Sequence, residues 1–120
     1  MKYFLDTYAL IEIAEGNKDY ARYVDADVVT LKNNIAELFY FYLKKSNKDA
    51  AQYFFTIFGK VAFDVSLEII PPAMNFRFQH AKTRFSYTDC LGYAYALEHN
   101  RIFVTGDRAF QGFPSVEIVR

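Results

Sequence analysis

Cysteine is all but missing: Cys90 is the only one in 120 residues. An internal disulfide is therefore excluded, and a reducing compartment fits. Net charge is missing too, since 14 Lys and Arg balance 14 Asp and Glu. The molecule as a whole exerts no strong pull on nucleic acid, so any such contact must come from a local basic patch. No uncharged apolar stretch reaches the roughly 18 residues of a membrane-spanning helix. The first residues lack a signal-peptide layout, because Asp6 interrupts their apolar part. Glycine and proline are scarce, at five and three, and no linker, repeat or low-complexity tract appears. These absences leave the expectation of a soluble, cytoplasmic protein with one domain over residues 1–120.

Aromatic side chains are abundant, with 10 Tyr and 13 Phe. That is more than a core of this size readily absorbs, so part of it is expected on an interface. Tyr3 to Leu5 is a short apolar run without alternation, which suits a strand covered on both faces. Asp6 ends it, and Thr7 to Glu15 reads as a helix closed by Gly16. A second helix is expected over Asn17 to Val24 and a second strand over Val28 to Leu31. A helix follows from Asn33 to about Lys45, with Asn34 and Glu37 at capping-box spacing. The stretch Leu38 to Leu43 is apolar or aromatic on every side. A similar helix, Asp49 to about Phe58, makes a hairpin with it. A helix of this kind is buried in a core or in an interface.

Val61 to Val65 reads as a third strand. Pro71-Pro72 open a helix to about Thr83, which carries Arg77, His80 and Lys82, with Arg84 just beyond. Phe76, Phe78 and Phe85 interleave with these cations. Such a stretch holds single-stranded nucleic acid through phosphates and stacking, or else forms a solvated helix face. Ser86-x-x-Asp89 caps a helix to about His99, with Leu91, Ala94 and Leu97 as its buried stripe and Cys90 packed beside a strand. Ile102 to Thr105 is a fourth strand, followed directly by Gly106-Asp107. Val116 to Val119 is the last.

Strands alternating with helices throughout predict an α/β sandwich with a mainly parallel sheet. Asp6 and Asp107 then end strands at the carboxyl edge, where open α/β sheets bind ligands. Glu37 and Asp89 begin helices leaving that same edge. Each acid has a local reading as a cap or turn residue. Gathered in one pocket, they become costly. Two like charges about 4 Å apart repel by roughly 4 kcal/mol at an effective dielectric near 20. Protons or a hard divalent cation relieve this.

The segments Leu5-Asp6-Thr7, Asn34 through Glu37-Leu38, Ser86-Tyr87-Thr88-Asp89 and Val104-Thr105-Gly106-Asp107-Arg108 resemble the four signature segments of PIN-domain ribonucleases. The resemblance covers essentially the whole chain, and its nearest branch is the VapC-type toxins of prokaryotic toxin–antitoxin pairs. It implies a three-layer sandwich on a five-stranded parallel sheet of order 3-2-1-4-5. It implies Mg²⁺- or Mn²⁺-dependent hydrolysis of RNA, leaving a 5′-phosphate and a 3′-hydroxyl. By position, Asp6, Glu37, Asp89 and Asp107 become the catalytic, metal-holding acids, with Thr7 and Thr105 in support. Arg77, Lys82, Arg84 and Arg108 are the candidate RNA contacts. The first two helices and the hairpin become surfaces for an antitoxin and a homodimer. One departure stands out: many relatives carry a further acid just after the fourth, where this chain has Arg108-Ala109-Phe110.

Two other strand-end-Asp folds fit less well. A haloacid-dehalogenase-type phosphatase needs a second Asp two residues on, where Tyr8 stands. A receiver domain needs a late Lys beside Thr105. The remaining alternative is a catalytically inactive PIN-like module that binds RNA or protein.

Overall fold

The computed structural model describes residues 1–119. Five parallel strands form one sheet: β1 (Lys2–Leu5), β2 (Asp27–Leu31), β3 (Ala62–Phe63), β4 (Ile102–Thr105) and β5 (Val116–Ile118). Their order is β3-β2-β1-β4-β5, the order expected above. Five helices connect them: α1 (Thr7–Ala14), α2 (Lys32–Lys44), α3 (Lys48–Gly59), α4 (Ile70–Gln79) and α5 (Tyr87–Glu98).

The sheet is covered on both faces, as the unalternating apolar strands require. Successive strand residues point to opposite sides. Phe4 and Phe103 face one layer, where they meet Ile69, Ala73, Tyr93 and Phe110 beneath α4 and α5. Leu5 and Val104 face the other, where they meet Leu10, Tyr20, Leu38 and Tyr42 from α1, α2 and the segment between α1 and β2. Phe4 and Phe103 stack with ring centroids 5.6 Å apart, and Phe110 closes on Phe103 at 4.7 Å. All three rings are fully buried, each contributing on the order of 1.5–3 kcal/mol of transfer free energy. Gly92 lets α5 settle onto this layer. A Cβ there would lie 2.9 Å from the Phe4 ring.

Several expected boundaries shift. Residues 17–24 form a 3₁₀ turn (Lys18–Tyr23) capped by the Asn17 side chain, not an α-helix. Tyr20 and Tyr23 are wholly buried, but Val24 is exposed. Each buried phenol finds a partner, as such groups require. The Tyr20 hydroxyl donates to the Val119 carbonyl at 2.5 Å, and the Tyr23 hydroxyl to Glu117. The third strand shrinks to two residues because it is an edge. Just beyond the ladder, the exposed Asp64 side chain pairs with Lys32 at 3.0 Å. The helix at Pro71-Pro72 ends at Gln79, and a short 3₁₀ turn (Ala81–Thr83) leads to Arg84 in the left-handed region at φ 63°. On α5 the buried stripe is Cys90, Tyr93, Ala94 and Ala96, whereas Leu97 is exposed. Cys90 is fully buried, and burial pushes its thiol up to about 11, as a packing residue's would be.

The hairpin of α2 and α3 forms as expected, but it is not buried all round. Leu38, Tyr42 and Phe58 are buried, while Tyr40, Tyr53, Phe55 and Ile57 stand exposed. Among the described residues no helix is long and apolar enough to cross a membrane.

Candidate metal centre

The site grows from the end of β1. Asp6 hydrogen-bonds through its backbone N–H to the Val104 carbonyl at 3.2 Å, continuing the ladder to β4. Its side chain caps α1, with Oδ1 accepting from the Ala9 N–H at 2.8 Å. The capping role anticipated for Asp6 is therefore real. It is not the whole account, because Asp6 is buried, at 4% exposure. An ordinary N-cap keeps its carboxylate in water. Burial is the main reason that the Asp6 carboxyl is lifted from 3.8 to about 7, opposed by hydrogen bonds from Thr105 and Ala9. The charges of Asp89 and Asp107 lift it further. Asp89 and Asp107 thus lie near enough to Asp6 for their charges to bear on it.

Thr105 is fully buried at the end of β4. Its hydroxyl accepts from the Asp107 N–H at 3.0 Å and lies close enough to Asp6 to hold that carboxyl down. One hydroxyl therefore ties the ends of the two central strands together. Asp107 is exposed, and its carboxylate accepts from the Ala109 N–H at 2.9 Å, opening a short 3₁₀ turn (Arg108–Phe110). Asp89 and Ser86 form the expected capping box: each side chain accepts from the other's backbone, at 2.9 and 3.0 Å. That fixes Asp89 at the start of α5, half-buried.

The capping box expected at Asn34 and Glu37 does not form. β2 runs straight into α2, so Leu31 takes the N-cap conformation, at φ −106° and ψ 155°. Asn34 then lies within the first turn and faces inward. It is 2% exposed. Its Nδ2 donates to the Thr7 hydroxyl at 3.1 Å, and that hydroxyl donates to Glu37 Oε1 at 2.5 Å. The exposed Glu37 carboxylate is thereby drawn toward the residue that follows Asp6. Asn34 Oδ1 is buried without a hydrogen-bond partner. Asn34 is the site residue that sequence reasoning missed as such. Its cap-like spacing supplied a sufficient explanation, and only the strand–helix junction removes it.

Asp6, Asp89 and Asp107 are linked through their charges, and Glu37 through Thr7. No three Asp, Glu, His or Cys side chains among the described residues approach closely enough to make a ready-formed ion cage. The donor set still fits a hard cation. Every candidate is an oxygen, and Mg²⁺ binds through one or two carboxylates with waters completing its shell. A buried carboxyl held near neutrality beside two other acids gains from a cation in place of its proton.

The basic residues divide. Arg77 is half-buried: its Nε donates to the Phe85 carbonyl at 3.2 Å and its guanidinium lies 4.1 Å from the Tyr87 ring centroid. It ties α4 to the start of α5, where Asp89 sits. Lys82, Arg84 and Arg108 are exposed and, among the described residues, form no ion pair.

Comparison with known proteins bears on the fold. The fold is similar to VapBC2 from Rickettsia felis, solved bound to a DNA fragment from its promoter, with a TM-score of 0.79, 20% identity and all of both chains covered. It is similar to Mycobacterium tuberculosis VapC20, described as a Sarcin-Ricin loop cleaving toxin (TM-score 0.76, 17% identity, 96% and 98% covered). A toxin-antitoxin complex from Klebsiella pneumoniae gives a TM-score of 0.76 at 18% identity, covering 97% and 96%. At such identities the likeness is one of fold. A search of curated proteins finds no match. The sequence itself matches the PIN domain over residues 3–115, nearly its whole length, and the chain belongs to the PIN-domain family.

Proposed function

We propose that the protein is a divalent-metal-dependent ribonuclease and the toxin of a prokaryotic toxin–antitoxin pair, acting in the cytoplasm. The observation that carries this is the Asp6 carboxyl: buried, raised to about 7, and raised partly by Asp89 and Asp107. A fold tolerates such a group where binding energy offsets its cost. Asp6, Glu37, Asp89 and Asp107 are the residues that would hold Mg²⁺ or Mn²⁺. A bound divalent ion supplies Lewis-acid activation of water and neutralises charge developing on the phosphodiester. The chain's own contributions are positional. Thr105 orients Asp6, and its link to the Asp107 N–H keeps the two acids in register. Asn34 and Thr7 hold Glu37. Lys82, Arg84 and Arg108 offer the phosphate backbone unpaired cations. Arg77 is already engaged and contributes by fixing the segment that carries Asp89.

An inactive PIN-like binding module is the second reading, favoured by the absence of a ready-formed cage among the described residues. Incubating a panel of RNAs with Mn²⁺ or EDTA, beside Asp6→Asn, separates the two. The ribonuclease cleaves with Mn²⁺ only, and a folded Asp6→Asn does not. Cleavage that survives both EDTA and Asp6→Asn refutes the metal site. Calorimetry showing no Mn²⁺ binding leaves the inactive module.

The toxin half of the reading is supported by the company the fold keeps and by the uncovered apolar surface. A hollow of about 350 Å³ lies between α3 and β1–β2, lined by Leu5, Ile13, Tyr23, Val28, Phe54 and Phe58. With Tyr53 and Ile57 exposed at its rim, it suits an apolar antitoxin segment, and the hairpin suits a second copy of the chain. Induced expression in a bacterial host is expected to arrest growth, and Asp6→Asn to relieve the arrest. Unimpaired growth with the intact chain would remove the toxin role while leaving the nuclease chemistry testable.

A further inference from the structure

Tyr8 keeps much of its ring in solvent. Tyr8 lies on the first turn of α1, two residues past Asp6, and is 43% exposed. Its hydroxyl makes no hydrogen bond among the described residues. Its inner side is the opposite case. The ring rests against Gly106, the residue between Thr105 and Asp107, so closely that a Cβ there would lie 2.0 Å from a ring carbon. Any other residue at position 106 would displace the ring. The ring is thus held against the residue that follows β4, one position before Asp107 in the chain, on the helix that Asp6 caps. A shallow hollow of about 230 Å³, lined by Tyr8, Ile11 and Glu12, opens next to it.

We propose that Tyr8 is a stacking platform for one nucleobase of a single-stranded substrate, set by its packing on Gly106 so that the adjoining phosphate lies toward Asp6 and Asp107. The reasoning is physical. An exposed ring backed by glycine loses little freedom when a base lies on it, and base–aromatic stacking accepts any base. The acids by themselves repel a polyanion. A flat apolar contact beside them gives the nucleic acid a reason to approach that does not depend on charge. The inference rests on the ribonuclease reading for its ligand but not for its test.

The chain has no tryptophan, so Tyr8→Trp introduces the only indole and makes the platform its own reporter. In EDTA, where no cleavage occurs, a short oligoadenylate is expected to quench that fluorescence. An abasic ribose–phosphate oligomer of the same length is expected not to. Equal response to both, or to neither, overturns the platform. With Mn²⁺ and a short RNA substrate, Tyr8→Ala is expected to raise KM by about 5- to 150-fold with kcat within about twofold, and Tyr8→Phe to keep the parent KM. An unchanged KM in Tyr8→Ala also overturns it, because a ring that merely covers Gly106 would not affect substrate binding. Quenching by oligoadenylate in a protein that cleaves no RNA would leave the platform standing and remove the nuclease. If Tyr8→Trp does not fold, anisotropy of dye-labelled oligoadenylate with Tyr8→Ala decides: at least about a fivefold loss of affinity is expected, and no loss refutes.

Discussion

Replacing Asp6 by Asn removes the only buried carboxyl among the described residues, and the consequence for stability has a definite sign. In the folded chain this group titrates at about 7, against 3.8 in the unfolded one. The folded state therefore holds the proton more tightly. The stability conferred by protonated Asp6 is complete below about pH 4 and is lost as the pH climbs to about 7. The shift corresponds to about 4 kcal/mol lost by pH 8.5, at roughly 1.4 kcal/mol per unit. Asn cannot ionise and so escapes that loss. It keeps the cap, because Asn accepts from the Ala9 N–H as well as Asp does. Its amide meets the Thr105 hydroxyl less well, at a cost of about 1 kcal/mol. Without metal, Asp6→Asn is then expected to be about 3 kcal/mol more stable than the parent at pH 8.5 and about 1 kcal/mol less stable at pH 4. Urea unfolding in EDTA at the two pH values measures both. Saturating Mn²⁺ at pH 8.5 should reverse the order. At a thousandfold excess over its Kd, a ligand adds about 4.1 kcal/mol to the parent and nothing to the variant. A variant less stable than the parent at pH 8.5 in EDTA would refute the reasoning, for Asp6 would then be an ordinary stabilising cap.

Three further outcomes follow from named contacts. Thr7→Val keeps the shape of Thr7 but strands the buried Asn34 amide and releases Glu37. We expect a loss of about 1–3 kcal/mol by urea unfolding and weaker Mn²⁺ binding by calorimetry, both restored by Thr7→Ser. Gly92→Ala sets a Cβ 2.9 Å from the Phe4 ring and should cost about 1–3 kcal/mol in thermal or urea unfolding, with Mn²⁺ affinity little changed. Lys82→Ala with Arg84→Ala should flatten the salt dependence of RNA binding by about 1.4 in log–log slope, at about 0.7 for each lost phosphate contact. An unchanged slope would return that strap to the role of a solvated surface.

Where the chain alternates element with element, the fold was legible. Tyr3 to Leu5 and Ile102 to Thr105 are apolar without alternation because each is covered on both faces, and that composition marks both strands almost to the residue. The edge was less so. Val61 to Val65 has strand composition, yet the ladder stops at Phe63. How far an edge strand continues depends on its single neighbour, not on its own side chains. Residues 17–24 carry a helical pattern, but the buried Tyr20 and Tyr23 reach the Val119 carbonyl and Glu117 at the far end of the chain. Those partners tighten the segment into a 3₁₀ turn, and nothing local announces them.

The candidate site divides along the same line. Asp6, Asp89 and Asp107 could be expected at one edge because each follows a strand or opens a helix there, and topology alone brings such positions together. Their local excuses also proved true: all three accept from nearby backbone N–H groups. Capping therefore does not by itself exclude ion holding at this edge. Each backbone donor engages one carboxylate oxygen of the pair. Asn34 and Glu37 run the other way. Their spacing promised a cap, and the direct passage from β2 into α2 took the capping position away. That displacement frees both side chains to reach Thr7. Lengthening the β2–α2 junction by one residue would test this directly. It would let Asn34 cap the helix, break its contact with Thr7, and swing Glu37 out of reach. The expected result is an intact sheet by circular dichroism with weakened Mn²⁺ binding. Undiminished binding would mean that Glu37 takes no part in holding the ion.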